Sequence, residues 1–205
     1  KPLLTINNIS LLENSINIIN QLGIKSIKIN TFYLKEQIRK FIHNKKFSCK
    51  IEIIEDGNSI LDTGGGILNL IKKSESDNFL VFNPDTIWNK EYIEVIKRME
   101  VFYFEKKINN ILLVVNKLKS FDQKLKGDFH LNSHNILSHK DKKFIYTGCQ
   151  IINKNIFSSI DKKCFSITEI WNHLLKENKL YGFESFSDFT HVTDVDVFKK
   201  LSKNQ

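Results

Sequence analysis

The sequence predicts an α/β fold, a mixed and mostly parallel sheet flanked by helices, with a small antiparallel insertion. Three observations carry that expectation. Short β-branched runs alternate with amphipathic stripes through the first half of the chain, the pattern that builds βαβ units. The second half carries strand-like pieces separated by Lys-, His- and Ser-rich loops, which reads as hairpin content. The chain has 205 residues, 41% of them hydrophobic, enough for one sizeable core that needs no disulfides.

Taken in order, residues 10–22 place Leu12, Ile16, Ile19 and Leu22 at helical spacing behind Ser10, a capping residue, and Gly23 stops the run. Residues 24–29 are short, β-branched and partly alternating, and Leu34, Ile38, Phe41 and Ile42 form the next helical stripe. Residues 50–54 read as a strand, 66–73 as a helix, 79–82 as a buried strand and 90–105 as a helix. Residues 110–115 are again a strand, with strand-like pieces at 128–131 and 144–152. Helix 168–178, a strand near 181–186 and a last helix over 196–202 complete the chain. No repeat, low-complexity linker or Pro-rich joint divides it, so residues 1–205 read as one domain.

Composition narrows the function classes. No apolar tract approaches the roughly 20 residues that cross a bilayer. Lys and Arg total 31 against 23 Asp and Glu, a formal charge of +8, which suits an anionic partner or substrate. Arg39 and Arg98 are the only arginines, Ala is absent, and Ile, Asn and Lys abound, a bias that AT-rich coding also produces. Cys49, Cys149 and Cys164 are widely spaced with no C-x-x-C, which reads as buried reduced thiols in a cytoplasmic protein. The chain opens Lys1-Pro2-Leu3-Leu4 without Met or a signal-like segment, and reads as one missing its beginning.

Three motifs carry chemistry. Leu61-Asp62-Thr63-Gly64-Gly65-Gly66-Ile67 puts three glycines between a strand and a helix, where their N–H groups can meet a base or phosphate; a flexible loop is the other reading. Phe79-Leu80-Val81-Phe82-Asn83-Pro84-Asp85 ends a buried strand in a carboxylate, at the end of an α/β sheet where ligands bind, placed to hold Mg²⁺ beside phosphates. Asp85 can equally be a turn residue or a cap. His191-Val192-Thr193-Asp194-Val195-Asp196 offers a second carboxylate, Asp194, with Asp196 as N-cap of the last helix.

Together these residues resemble the sugar-phosphate nucleotidyltransferase family, which joins a nucleoside triphosphate to a sugar 1-phosphate. Within it the nearest pattern is that of the N-acetylmuramate 1-phosphate uridylyltransferases of cell-wall recycling. Lys1-Pro2-Leu3-Leu4 matches the last part of the family's Gly-rich, Arg, Pro-Lys-Pro-Leu signature, the rest of which is absent, and Leu61–Ile67 matches the uridylyltransferases' Leu-Glu/Asp-Thr-Gly-Gly-Gly-Ile loop. Asn83-Pro84-Asp85 matches an Asn-Gly-Asp strand end, Gly127-Asp128-Phe129 a Gly-Asp-Phe segment, Thr147-Gly148 a Thr/Ser-Gly turn, and Val192-Thr193-Asp194-Val195 an Asp-Val/Ile-Gly turn. Pro84 and Asp196 stand where the family has Gly.

The resemblance implies a Rossmann-like, GT-A-like sheet, and set against it the sequence from Lys1 onward lacks the family's first strand and Gly-rich phosphate loop, without which activity is not expected. It implies that Lys1 neutralises the nucleotide phosphates, that Thr63, Gly64, Gly65 and Gly66 form the platform for base and ribose, and that Asp85 and Asp194 hold Mg²⁺. It assigns Asn83, Asp128 and Gly148 to the sugar phosphate, with strand-end or turn roles as the alternative, and Asn30 can face the same cleft. The implied partners are a nucleoside triphosphate, with UTP preferred, and a sugar 1-phosphate, with neither nucleic acid nor membrane, in a monomer or weak homo-oligomer.

The sugar 1-phosphate oxygen would attack the α-phosphorus and expel pyrophosphate. This needs alignment and positive charge rather than a general base, and six histidines scattered through loops fit that picture. Competing readings are a guanylyl- or thymidylyltransferase acting on mannose, heptose or glucose 1-phosphate, a basic nucleic-acid-binding module, and a non-catalytic relative. Dispersed lysines and Phe residues on apolar stripes weigh against the second, and retention of both Asp85 and Asp194 against the third.

Overall fold

The structure, a computed structural model, describes residues 1–203. Its elements run β1 (Thr5–Ile6), β2 (Ile9–Ser10), α1 (Leu11–Gln21), β3 (Ser26–Thr31), α2 (Lys35–Lys45), β4 (Lys50–Glu55) and α3 (Asp62–Ile71). There follow β5 (Asn78–Phe82), β6 (Thr86–Ile87), α4 (Glu91–Glu105), β7 (Asn110–Asn116), β8 (His130–Leu131), β9 (Leu137–Ser138) and β10 (Phe144–Asn153). The chain ends with α5 (Ile167–Lys176), β11 (Gly182–Ser185), β12 (Thr190–His191) and α6 (Val195–Lys203).

The principal sheet has the order β11-β7-β10-β5. β10 runs antiparallel to both of its neighbours, and β11 is parallel to β7. It follows that β5, β7 and β11 share one direction and end at one edge of the sheet. β3 and β4 pair in parallel as a separate two-stranded sheet. The α/β class and the mixed sheet are as the sequence predicts, but antiparallel pairing has a larger share than strand–helix alternation implies. The reason is β10: it returns from the β8–β9 hairpin, which is the antiparallel insertion, and threads between β5 and β7.

The core follows from the period of two. Ile111, Leu112, Leu113, Val114 and Val115 of β7 are all fully buried, as expected of an apolar run covered on both faces. Leu112 and Val114 point to the side of Leu68 and Ile71 of α3 and Ile170 and Trp171 of α5. Ile111 and Leu113 point the other way, to Tyr92, Ile96, Met99 and Tyr103 of α4 and Ile18 of α1. Burial of each such side chain contributes about 2 kcal/mol, so this strand outweighs the exposed ion pairs, which are worth below about 1 kcal/mol each. A smaller core packs Leu12 and Ile16 of α1 and Ile38, Phe41 and Ile42 of α2 on β3 and β4.

Helix starts follow their caps, with two departures. Ser10 caps α1 as read, its Oγ accepting the Glu13 N–H at 3.1 Å. α6 begins one residue earlier than expected because Asp194, not Asp196, is the cap: its Oδ1 accepts the Val197 N–H at 2.8 Å. α3 begins at Asp62, four residues before the expected start, so the three glycines lie inside its first turns rather than in a loop. Two of the three cysteines are buried; Cys164 is exposed, since it lies in the turn leading to α5 rather than on an apolar face.

Candidate functional site

β5 ends at Phe82, and the turn Asn83-Pro84-Asp85 follows at the shared carboxyl edge of the sheet. Immediately beyond it, β6 pairs antiparallel with β12, setting Thr86 opposite His191. The Val192 N–H donates to the Asp85 carbonyl at 2.9 Å. This short ribbon brings Asp85 against the segment 191–194, so the two motifs that the sequence could only juxtapose as candidates are neighbours in space.

Lys1 closes the cluster. Its Nζ donates to Asp85 Oδ2 at 3.0 Å and to the Thr193 carbonyl at 3.3 Å. An ammonium therefore sits where the Asp85 carboxylate and the Thr193 carbonyl present oxygens to a cation. The Asp194 carboxyl is held below the usual value by the Val197 and Asp196 N–H groups first, with Lys124 and Lys200 adding to the effect. Among the described residues no three His, Cys, Asp or Glu side chains gather closely enough to hold a metal ion by themselves. A divalent cation here would share Asp85 and Asp194 with backbone oxygen and substrate phosphate, and the hard oxygen donors present fit such an ion.

His191 is the residue that sequence reasoning missed. Its Nε2 lies 3.7 Å from Asp85 Oδ2 and its Nδ1 3.2 Å from Thr86 Oγ1, with the ring stacked on Phe189. Burial pushes its imidazole below the ordinary value, opposed by the Asp85 carboxylate and aided by Lys1. Of the histidines read as scattered through loops, this one lies in β12, beside Asp85. The only signal available was its place three residues before Asp194.

Asn83 and Gly148 face each other. The Asn83 N–H donates to the Gly148 carbonyl at 2.7 Å, and a Cβ on Gly148 would meet the Asn83 Cβ at 3.0 Å. Gly148 sits in the bulge that interrupts β10 against β7, with φ +92°, a conformation that excludes most side chains. Asp128 lies beside this bulge; its Oδ2 accepts the Tyr146 N–H at 2.9 Å. These three residues are thus brought to one place, each with a structural task as well.

The glycine turn is different. The N–H groups of Gly64 and Gly65 both donate to the Phe165 carbonyl, at 3.0 and 3.1 Å. A Cβ on Gly65 would stand 2.1 Å from the Lys163 carbonyl oxygen, one on Gly64 2.4 Å from the Phe165 ring, and one on Gly66 2.7 Å from Asn30 Nδ2. All three glycines are buried. The reading of Gly64 and Gly65 as an open backbone platform is corrected: their amides are spent on the Phe165 carbonyl, and absence of Cβ lets α3 close on residues 163–165. Thr63 is engaged likewise, its Oγ1 accepting the Ile167 N–H at 3.0 Å. Asn30 donates to Asp56 Oδ2 at 2.9 Å, tying the end of β3 to that of β4. The strained residue of this turn is Asp62, at φ +59°.

No protein-family model matches the chain. It is 24% identical over 210 residues to the D-glycero-alpha-D-manno-heptose 1-phosphate guanylyltransferase of Aneurinibacillus thermoaerophilus, with 99% of this chain and 88% of that protein covered. It is 18% identical over 201 residues to the N-acetylmuramate alpha-1-phosphate uridylyltransferase of Caulobacter vibrioides, with 95% and 83% covered. Among solved structures, HddC from Yersinia pseudotuberculosis complexed with GMP-PN matches with a TM-score of 0.77 at 17% identity, covering 99% of this chain and 88% of that one. Apo UDP-glucose pyrophosphorylase matches with a TM-score of 0.76 at 13% identity, covering 100% and 89%. The structural likeness carries the fold, and the curated relatives uphold at family level the resemblance read from the motifs. No described helix is long and apolar enough to cross a membrane.

Proposed function

We infer that the chain belongs to the sugar-phosphate nucleotidyltransferases and that it joins a nucleoside triphosphate to a sugar 1-phosphate, releasing pyrophosphate. The observation that carries this reading is the convergence of Asp85, Lys1 and the Thr193–Asp194 segment at the carboxyl edge of the sheet. The nucleophile is already an anion, so the residues have to align two phosphates and offset their charge. Lys1 is placed for the charge: released from Asp85, its ammonium can meet the triphosphate. Asp85 and Asp194 would hold a divalent cation, for which Mg²⁺ is the reading taken from the sequence. When bound, that ion neutralises phosphate oxygens and orients the α-phosphorus for in-line attack.

Asn83, Asp128 and Gly148 form the wall proposed to meet the sugar phosphate. Thr63 and Gly66 remain the parts of the glycine turn proposed to approach the nucleotide.

For the substrates, UTP and N-acetylmuramate 1-phosphate are the pair favoured by the motif pattern, supported by the uridylyltransferase relative. A second reading, GTP with a heptose 1-phosphate, is favoured by the 24% identical guanylyltransferase. A pyrophosphate-release assay across UTP, GTP, CTP and dTTP, each with N-acetylmuramate, heptose and glucose 1-phosphates, separates them. Turnover with UTP and N-acetylmuramate 1-phosphate alone is expected; turnover confined to GTP moves the chain to the second reading, and no release with any pair overturns the activity.

A further inference from the structure

The loop 117–127, which joins β7 to Asp128, carries four lysines and one acid, Asp122. That acid is spent on its surroundings: its Oδ1 accepts the Lys124 N–H at 3.1 Å and its Oδ2 the Thr193 hydroxyl at 2.9 Å. Lys119 pairs with Asp188 at 3.4 Å. Among the described residues Lys117, Lys124 and Lys126 make no ion pair. All three line one cavity of about 290 Å³, whose wall is completed by Leu118, Gln123 and Leu125. A concave surface lined by one sign of charge gathers the opposite charge.

The loop is held in place. Leu125 packs against Val115, Ile145 and Phe189. The Phe121 N–H donates to the Phe189 carbonyl at 2.8 Å, and the Ser120 hydroxyl to the Asp122 carbonyl at 3.0 Å.

Its position joins the two halves of the site. The bond from Thr193 to Asp122 ties it to the segment that ends in Asp194. On its other side the Lys117 N–H donates to the Lys143 carbonyl at 2.8 Å and the Asp128 N–H to the Phe144 carbonyl at 2.7 Å, so the cavity and the proposed sugar wall hang on consecutive residues. Lys126 stands two residues from Asp128, a span of at most about 7 Å. A substrate group that enters the cavity beside Asp128 therefore extends from the sugar. Leu118, 79% exposed, offers apolar surface beside the ammonium groups, which suits an anion carried on an aliphatic arm.

We propose that this cavity binds a carboxylate borne on a short aliphatic arm of the sugar, with Lys117, Lys124 and Lys126 meeting the charge and Leu118 the arm, so that the sugar 1-phosphate is that of a sugar acid. The inference rests on the reading of the chain as a sugar-1-phosphate nucleotidyltransferase with Asp128 at the sugar. It bears on the choice of substrate. The lactyl ether of N-acetylmuramate 1-phosphate supplies such an arm, whereas heptose and glucose 1-phosphates carry none.

Calorimetric titration of the whole chain with Mg²⁺ present tests it without reference to turnover. The probes are N-acetylmuramate 1-phosphate and N-acetylglucosamine 1-phosphate, which lacks only the lactyl arm. Wild type should bind the first about tenfold more tightly, the worth of one charge-assisted contact. In Lys124→Gln/Lys126→Gln that preference should fall below about twofold, the loss being borne by N-acetylmuramate 1-phosphate. Equal affinities in wild type overturn the inference and leave the transferase reading standing, as does tighter binding of heptose or glucose 1-phosphate. Parallel weakening of both probes in the variant places the lysines on the 1-phosphate and also overturns it. No binding of any sugar 1-phosphate to wild type overturns both readings. The wild-type comparison decides first, so the test survives a variant that folds poorly.

Discussion

The glycine turn at the start of α3 and the turn that follows β5 have the same outline in sequence, a loop between regular elements rich in residues that serve ligands. In space they part. At the first, Gly64 and Gly65 spend their amides on Phe165 and their missing side chains on contact with residues 163–165. At the second, among the described residues, the Asp85 carboxylate is met by a lysine ammonium, with an imidazole 3.7 Å away. What separates a packing device from a site is whether the protein has already satisfied the polar groups in question. Glycine content and strand-end position do not report that.

Substitutions sharpen the contrast. The largest effect is expected from Gly65→Ala, which would force a methyl group to 2.1 Å from the Lys163 carbonyl. Backbone cannot yield as a side-chain tip can, so a loss of about 3 kcal/mol or more is expected in denaturant unfolding. A loss below about 0.5 kcal/mol would restore the open-loop reading.

Asp85→Asn is the counterpart, with the effect on the other axis. Pyrophosphate release should fall below detection. Because its ion pair with Lys1 is partly exposed, stability should change by less than about 1 kcal/mol. A variant with wild-type turnover would end the assignment of Asp85 to the metal.

Gly148→Ala should fall between the two, costing about 1–2 kcal/mol through its positive φ and the close Asn83 contact. It should also weaken sugar 1-phosphate binding, read as a raised KM with kcat less affected; unchanged KM would confine Gly148 to the bulge.

The smallest effect is a pH dependence. The Asp194 carboxyl is lowered from its ordinary 3.8 chiefly by the N–H groups at the start of α6. The unfolded chain therefore takes up this proton first as pH falls. The stabilising contribution is complete above pH 3.8 and is lost below it, as pH falls through the still lower folded value. Melting curves of wild type should thus decline more steeply than those of Asp194→Asn as pH falls below about 4, the two converging in stronger acid; parallel decline would show that the cap carries no such linkage.

Much of the fold was legible. Ser10 announced α1 because a hydroxyl before an apolar stripe has one local use, and residues 110–115 announced a strand; that this strand, rather than 79–82, is the fully buried one was decided by what packs on its two faces. The end of the apolar run at Asn83-Pro84-Asp85 located a carboxylate at the sheet edge for the same local reason. The missed features lie where local rules compete or where distant segments meet. Asp62 adopts a left-handed conformation that a glycine would have advertised. Asp194 and Asp196 are equally good caps by type, and only the path of the chain leaving β12 selected Asp194. Cys164 reads like its buried fellows but lies in an exposed turn.

The sequence by itself determined the α/β class, the order of the principal helices and strands, the family resemblance and the identity of Asp85 and Asp194 as carboxylates worth pairing. These follow from period, capping chemistry and short motifs, all of which act over a few residues. Only the tertiary structure decided that the amides of Gly64 and Gly65 are already occupied, that β10 threads antiparallel through the sheet, and that His191 stands beside Asp85. Each of these depends on which distant segment arrives to donate, accept or exclude, and a linear pattern does not encode that arrival: the β6–β12 ribbon that brings His191 to Asp85 is two residue pairs long.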